Sequence, residues 1–193
     1  MLNDNASMYK KELRKTFLDK RQKMHEAEKK VADKKFYDNF FNNVVIKEKS
    51  VIAGFSPINS EIDVIPVMQE LERRGHICVM PRTIDLNTPL EFIEWHDGIE
   101  MIKGRFNILE PNNNNKYIPD VILSPFVAFD ENRDRIGYGE GMYDKTLAHI
   151  HKINHPIFLV GVGYELQKVA EGIPTEGTDI AMDMVITEEE VYI

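Results

Sequence analysis

The sequence is poor in cysteine and contains no long apolar run. Cys78 is the single cysteine among 193 residues, which excludes an intramolecular disulfide and a zinc site built from cysteines. No segment approaches the roughly 20 uninterrupted apolar residues that a membrane-spanning helix requires. The N-terminal stretch MLNDNASMYKKELRK lacks the apolar core of a secretory signal. These absences predict a soluble protein of the reducing cytoplasm.

Positive charge is scarce in most of the chain. The net charge is −8 at pH 7, which argues against general binding of nucleic acid. Residues 8–24 are the exception, because seven basic and two acidic side chains give this segment +5 and leave about −13 for the rest. The segment is either a site for a local anionic partner or a solvated helix face.

Apolar segments of strand length alternate with amphipathic segments of helical period. Alternating strands and helices, with strands that read as continuous apolar runs, are typical of a mostly parallel sheet covered on both faces. We therefore expect a single doubly wound, three-layer α/β domain over residues 1–193, with a mixed sheet and a basic N-terminal helix; two small lobes on one chain are the alternative. The predicted helices span 7–30, 30–43, 63–75 and 141–153, and the predicted strands span 50–57, 76–82, 89–95, 120–129, 156–165 and 182–189.

The segment RIGYGEGMYDK, residues 135–145, places three glycines at alternating positions between the strand at 120–129 and the helix that follows. Glycine lets backbone N–H groups approach a ligand closely, and a helix N-terminus adds unpaired donors and partial positive charge. Phosphate is the anion that suits such a loop. The spacing matches neither a P-loop nor a dinucleotide fingerprint, so a purely structural turn before a helix remains the alternative.

Other candidate residues follow the first two strands. Glu61 lies in the loop after the strand at 50–57 and has no evident structural duty. Asp63 is better explained as a helix cap than as a ligand. Trp95 and Tyr138 are able to stack on a planar ligand, although aromatic side chains more often belong to the core.

The whole of FVAFDENRDRIGYGEGMYDKTL resembles the signature of the 5-formyltetrahydrofolate cyclo-ligase (5,10-methenyltetrahydrofolate synthetase) family. Blocks in the same order extend the resemblance over nearly the whole chain, namely KKELRK, GFSPINSEID, VMPR, LEFIEW, ILEP, VGVGYELQ and TDIAMDMVIT. The resemblance implies an enzyme that uses ATP and Mg²⁺ to close 5-formyltetrahydrofolate to 5,10-methenyltetrahydrofolate. It implies small-molecule substrates, no nucleic acid or membrane partner, and a monomer.

The resemblance also implies roles for individual residues. Nucleotide-binding residues would be Lys10, Lys11, Arg14, Arg135, Gly137, Tyr138, Gly139, Glu140, Gly141, Met142 and Tyr143. Folate-binding residues would be Ser56, Glu61, Trp95, Tyr138, Gly139, Gly141 and Met142. Asp144 and Asp179 would hold Mg²⁺, and Arg135, Tyr143 and Asp144 would be the catalytic residues.

Two positions depart from the family pattern. Met142 stands where a tyrosine is usual, and Glu140 places an acid close to the expected phosphates. A sugar-phosphate isomerase on a similar scaffold and a non-catalytic folate- or nucleotide-binding module are the rival hypotheses. The basic N-terminal helix disfavours the isomerase, and the presence of Lys10, Arg135, Asp144 and Asp179 disfavours the inactive module.

Overall fold

The computed structural model describes residues 2–177 and 179–193, with side chains from residue 6 onward. Thr178, the first residue of the block TDIAMDMVIT, lies outside the described residues. The α-helices in this part of the chain are α1 (Leu2–Gln22), α2 (Glu26–Asn43), α3 (Ile65–Arg73) and α4 (Met142–Lys152). The strands are β1 (Val51–Ala53), β2 (Ile77–Arg82), β3 (Glu91–Trp95), β4 (Met101–Lys103), β5 (Leu109–Pro111), β6 (Lys116–Tyr117), β7 (Val121–Pro125), β8 (Ala128–Phe129), β9 (Arg135–Ile136), β10 (Phe158–Val162), β11 (Met184–Ile186) and β12 (Val191–Tyr192).

One mixed sheet of eight strands organises the molecule, in the order β12–β11–β10–β7–β1–β2–β3–β6. The run from β11 to β2 is parallel, whereas β12, β3 and β6 pair antiparallel with their neighbours. The pairs β4–β5 and β8–β9 form small separate hairpins. The predicted mostly parallel, mixed α/β sheet is confirmed.

The sheet is covered on both faces. Side chains alternate between the faces of a strand, so Ile52 packs in one apolar cluster with α2 and α3, whereas its neighbour Ala53 packs in the other with α4. The strongly apolar sequences of β7 and β10 follow from this arrangement, because both of their faces are buried. Phe17 of α1 lies in a third cluster with the β8–β9 hairpin, which attaches the basic helix near the carboxyl ends of the strands.

The element boundaries differ from the predicted ones where local hydrogen bonds end a helix or proline breaks a strand. The helix predicted at 7–30 ends at Gln22, and α2 begins at Glu26, where the Glu28 carboxylate accepts from the His25 N–H at 3.1 Å. β7 ends at Pro125, as expected for a residue that cannot donate to a ladder. The N-cap of α3 is Val64, one residue later than predicted, and Asp63 accepts from the Ile65 N–H at 3.0 Å from the position before it.

The neighbouring strands β1 and β7 form a switch point of the sheet. After β1 the chain passes through α3 to β2 on one side, and after β7 it passes through α4 to β10 on the other. The carboxyl ends of two such strands diverge into loops on opposite faces and leave a crevice between them. The glycine-rich segment follows β7, so it lies at this crevice.

Candidate functional site

A cavity of about 560 Å³ opens at the switch point. Its lining comes from the loops after β1 and β2, the β4–β5 hairpin, every residue from 135 to 144, and three more polar side chains, Lys10, Arg14 and Asp179. Cationic and acidic groups therefore meet around one crevice, although they are far apart in the sequence.

The glycine loop, residues Gly137–Gly141, has two positions that depend on glycine. Gly139 has φ +113° and Gly141 has φ +62°, values that side chains with a Cβ rarely adopt. Gly141 is also the N-cap of α4, so the loop aims the start of this helix at the cavity. Gly137 does not have a positive φ, and a Cβ added there would meet no other atom within 4 Å. The backbone conformation of Gly137 therefore does not require glycine, but the lack of a side chain there leaves room for a ligand to approach the backbone.

Helix α1 lies along the glycine loop and supplies its cations. Arg14 Nε donates to the Gly137 carbonyl at 2.7 Å, and Lys10 Nζ donates to Asp179 Oδ2 at 2.8 Å. Burial lowers the pKa of the Arg14 guanidinium, so this cation is partly withdrawn from water. Charges that are shielded from solvent act more strongly on an anion than charges in bulk water.

Arg135 lies between Asp144 and the segment that carries Asp179. Its Nη2 donates to Asp144 Oδ1 and its Nη1 donates to the Ile180 carbonyl, both at 2.5 Å, and Ile180 directly follows Asp179. Burial raises the pKa of Asp179, but hydrogen bonds from Lys10 and the Glu176 N–H, with the charge of Arg135, lower it by more. The pKa of Asp179 therefore lies below its usual value, and its carboxyl group is ionised at neutral pH.

The two carboxylates suit a magnesium ion that is shared with a phosphate-bearing ligand. Among the described residues, no three His, Cys, Asp or Glu side chains converge as a metal cluster. Mg²⁺ prefers oxygen ligands and is usually held by one or two carboxylates together with substrate phosphates and water. Asp144 and Asp179 line the same cavity and meet that requirement, whereas a cage made of protein ligands alone is not present in this part of the chain.

Glu61 forms the acidic side of the cavity. It is 4% exposed, and its carboxylate accepts from the Ile58 N–H and from the Tyr138 hydroxyl, both at 2.8 Å. Burial raises the pKa of Glu61, opposed by these two hydrogen bonds and by the charge of Arg21. A buried carboxylate with free lone pairs is a suitable acceptor for paired N–H groups on a flat ring.

Residues 6–188 match the model of the 5-formyltetrahydrofolate cyclo-ligase family. The chain belongs to this family. The 5-formyltetrahydrofolate cyclo-ligase of Escherichia coli K12 is 32% identical over 148 residues, which cover 73% of this chain and 79% of the relative. The cyclo-ligase of Mycoplasma pneumoniae is 28% identical, with 94% of this chain and 100% of the relative covered.

A solved structure gives the same fold. The NMR structure of Aquifex aeolicus 5,10-methenyltetrahydrofolate synthetase superposes with a TM-score of 0.80 and 29% identity, covering 95% of this chain and 91% of that one. This chain is an enzyme with 5-formyltetrahydrofolate cyclo-ligase activity, a ligase of folate one-carbon metabolism. The isomerase and the inactive binding module are thereby set aside.

Most of the site residues that the sequence implies for a cyclo-ligase line the cavity. They are Lys10, Arg14, Ser56, Glu61, Arg135, Gly137, Tyr138, Gly139, Glu140, Gly141, Met142, Tyr143, Asp144 and Asp179. The backbone of Ser56 follows β1, and its hydroxyl donates to the Leu109 carbonyl at 2.7 Å, which ties that loop to the β4–β5 hairpin. The side chain of Glu140 is exposed at the rim, as expected for an acid close to phosphates.

Two residues lie elsewhere. Trp95 is 6% exposed and packs in the hydrophobic core with α2 and α3, because it is the last residue of β3 and points to that face of the sheet. Its ring is therefore not a wall of the cavity, contrary to the sequence prediction. Lys11 is exposed on α1, since neighbouring helix positions point about 100° apart, and Lys10 occupies the inward position.

Several residues that line the cavity or lie behind its wall were not predicted from the sequence. Arg105, Phe106 and Ile108 come from the tip of the β4–β5 hairpin, which is too short to give a clear periodic signal. Arg21 is buried beside Tyr138. Arg14, Phe17 and Arg21 follow Lys10 by four, seven and eleven residues, and positions with this spacing share one face of a helix. This spacing was a usable signal for Arg21.

Proposed function

We propose that the cavity binds 5-formyltetrahydrofolate and Mg·ATP side by side and transfers the γ-phosphoryl group of ATP to the formyl oxygen. The N10 nitrogen of the folate then attacks the activated formyl carbon. The C–O bond breaks and N10 gives up its proton, so the formyl oxygen leaves within inorganic phosphate, which accepts that proton as hydrogen phosphate. The products are ADP, phosphate and 5,10-methenyltetrahydrofolate.

The nucleotide is assigned to the side formed by α1 and the glycine loop. Phosphoryl transfer depends mainly on positioning and on neutralisation of charge. Lys10 and Arg14 supply cations, and the N–H groups at the start of α4 supply donors without intrahelical partners. Arg135 is held by Asp144 and the Ile180 carbonyl, which fixes its guanidinium beside the place assigned to the transferred group.

Mg²⁺ is assigned to Asp144 and Asp179. Bound there, it would neutralise charge on the phosphates of ATP. The two carboxylates are paired with Arg135 and Lys10. These pairs connect metal binding with the two basic side chains that face the nucleotide.

The folate ring is assigned to the side formed by Glu61, Ser56 and Tyr138. Glu61 would accept from the N–H groups of the pterin edge, and apolar contact would come from Phe55 and Pro125, which line the same part of the crevice. Burial is the main reason that the pKa of the Tyr143 hydroxyl is raised. Tyr143 therefore stays a neutral donor at physiological pH and suits the developing charge on the formyl oxygen.

The observation that carries the proposal is the convergence of two different sets of residues on one cavity. The cationic set from α1 and the buried acid after β1 open on the same crevice, with the glycine loop between them. A phosphate and a flat ring with N–H donors would therefore be held in contact.

We propose that the enzyme is monomeric and cytoplasmic. The helices among the described residues include none long and apolar enough to cross a membrane.

The test is an assay for methenyl product by its near-ultraviolet absorbance, with 5-formyltetrahydrofolate and Mg·ATP as substrates. We expect ATP-dependent product from the wild-type protein and, because the metal loses a charged ligand, a rate at least 100-fold lower for Asp144→Asn. Asp38→Asn is the matched control, since Asp38 is an exposed carboxylate of α2. Near-normal turnover of Asp144→Asn at low Mg²⁺ would refute the metal assignment.

A further inference from the structure

Arg21 is a buried cation with no part in the reaction described so far. It is 1% exposed and lies at the end of α1. Its guanidinium donates to the Asn59 carbonyl at 3.1 Å, the Phe126 carbonyl at 3.2 Å and the Tyr138 hydroxyl at 2.5 Å. One side chain therefore fixes the loop after β1, the end of β7 and the glycine loop.

The contacts of Arg21 lead directly to Glu61. The Tyr138 hydroxyl accepts from Arg21 and donates to Glu61 Oε1 at 2.8 Å. Asn59, whose carbonyl Arg21 also holds, lies in the same loop as Glu61 and next to Ile58, whose N–H binds Glu61 Oε2 at 2.8 Å. Arg21 thus holds one oxygen of Glu61 through Tyr138. It holds the other through Asn59, which is the neighbour of Ile58 in the chain.

The same helix carries the cations assigned to the nucleotide. Lys10, Arg14 and Arg21 are spaced by four and seven residues and share one face of α1. Arg14 holds the Gly137 carbonyl, and Arg21 holds the side chain of the next residue, Tyr138. A displacement of α1 would therefore disturb both of these hydrogen bonds to the glycine loop together.

We propose that Arg21 is a positioning residue of this cyclo-ligase, which orients the Glu61 carboxylate for the folate ring through Tyr138 and the Asn59 carbonyl. The inference rests on the proposed contact between Glu61 and folate. Arg21 itself touches neither substrate. Its positive charge compensates the buried carboxylate, which would otherwise be costly to keep ionised away from water.

Removal of Arg21 would change the pH dependence of folate use. The titratable and charged groups that face Glu61 are Arg21 from α1, Tyr138 from the glycine loop, Tyr143 from α4, and Tyr164 after β10, with Asp33 of α2 behind Tyr164. Arg21 is the cation of this set. Without it the pKa of Glu61 would rise further, so the fall of kcat/KM for folate on acidification would begin at a higher pH.

The experiment compares Arg21→Met, Arg21→Lys and Tyr138→Phe with the wild-type enzyme. We expect Arg21→Met to raise KM for 5-formyltetrahydrofolate by about 10- to 100-fold, the range for loss of hydrogen bonds to a charged group. KM for ATP should change by less than about 3-fold, because the nucleotide is bound by other residues. Arg21→Lys keeps the charge and should recover part of the loss. Lys15→Gln removes an exposed charge of the same helix and should behave as wild type.

A double-mutant cycle separates a relay from independent contributions. If Arg21 acts through Tyr138, the variant with both Arg21→Met and Tyr138→Phe should lose less than the product of the two single losses. Tyr138→Phe also preserves the test if Arg21→Met folds poorly, which circular dichroism and thermal unfolding would reveal. It should raise KM for folate by about 3- to 10-fold and shift the acid limb in the same direction as Arg21→Met.

The outcomes separate this inference from the proposed function. Multiplicative losses, equal changes in both KM values or an unmoved acid limb would overturn the positioning role, even if Glu61→Gln abolished folate use. An unchanged KM for folate in Glu61→Gln would overturn the folate assignment together with the inference that depends on it.

Discussion

Adjacent lysines of α1 have different surroundings although their chemistry is identical. Lys10 lines the cavity and binds Asp179, with its side chain 17% exposed, whereas Lys11 is exposed on the outer surface. Charge alone cannot distinguish them. Their positions around the helix decide which of the two meets an anion in the crevice.

Lys10→Ala should raise KM for ATP by about 10- to 150-fold, the range expected for one charge-assisted hydrogen bond. Lys11→Ala removes the same charge one position away and should raise it by less than about 3-fold, because an exposed cation is screened by water and salt. Steady-state kinetics at fixed saturating folate measure both. Equal effects of the two substitutions would mean that the general charge of the helix, rather than a contact of Lys10, attracts the nucleotide.

The residues that the sequence identified best are those in the continuous block at 135–144. The family resemblance covers this block without a gap, so it implied roles for the glycines, Tyr143 and Asp144 together, and all of them line the cavity. Trp95 was misplaced because an aromatic residue at the end of a strand is able to face either side of the sheet, and only packing against α2 and α3 decides which. Arg21 was missed because its partners come from three distant segments.

At the scale of elements, the glycine loop combines backbone freedom with space for a ligand. Gly139 supplies the first, since its φ of +113° is a strained value for any other residue. Gly137 supplies the second, since a Cβ there would enter an open region. The two glycines lie directly before and directly after Tyr138. Substituting each by alanine therefore separates the need for backbone freedom from the need for space.

Gly139→Ala should lower the free energy of unfolding by about 1–2 kcal/mol, the usual penalty for a Cβ at positive φ. Gly137→Ala should leave it unchanged within about 0.5 kcal/mol or raise it slightly, because alanine restricts the unfolded chain. Its methyl group would nevertheless occupy the cavity and raise KM for ATP. Urea unfolding and steady-state kinetics on both variants test whether the effect on stability and the effect on KM for ATP are separate. Destabilisation by Gly137→Ala as large as that by Gly139→Ala would contradict it.

The elements that were predicted from the sequence are those with strong local signals. Helices α3 and α4 and strands β2, β3, β7 and β10 have clear apolar periodicity and turn residues at their ends, and they lie where they were expected. The β4–β5 hairpin was missed because its exposed strands carry little apolar alternation, and its residues Phe106 and Asn107 adopt positive φ values of 60° and 58°. Such a conformation is fixed by the surroundings of the hairpin rather than by its own sequence.

At the scale of the whole molecule, α1 joins parts of the chain that the sheet alone would leave apart. Its residue Phe17 packs with Val127, Ile136 and Val169, and its polar face holds the glycine loop and Asp179. We therefore expect the chain to unfold as one cooperative domain. The molecule as a whole is acidic, so this basic helix is the source of local positive charge that we propose attracts the polyanionic nucleotide.

Binding of Mg·ATP should stabilise this whole assembly, because in the proposed complex the ligand contacts α1, the glycine loop and Asp179 at once and is not bound by the unfolded chain. At a ligand concentration about 100 times Kd the gain is about 2.7 kcal/mol, and for a protein of this size that raises Tm by about 5–11 °C. EDTA should remove most of the gain, since phosphate charge would then face Asp144 and Asp179 without a cation between them.

Differential scanning fluorimetry with ATP in the presence of Mg²⁺ or EDTA measures this difference. Asp144→Asn should lose the Mg²⁺-dependent part of the shift, while Asp38→Asn, an exposed carboxylate on α2, should keep it. This readout does not require turnover, so it locates the metal even in a variant without activity. A wild-type shift that is the same with EDTA as with Mg²⁺ would place the nucleotide away from the two carboxylates, on the cationic face of α1 alone.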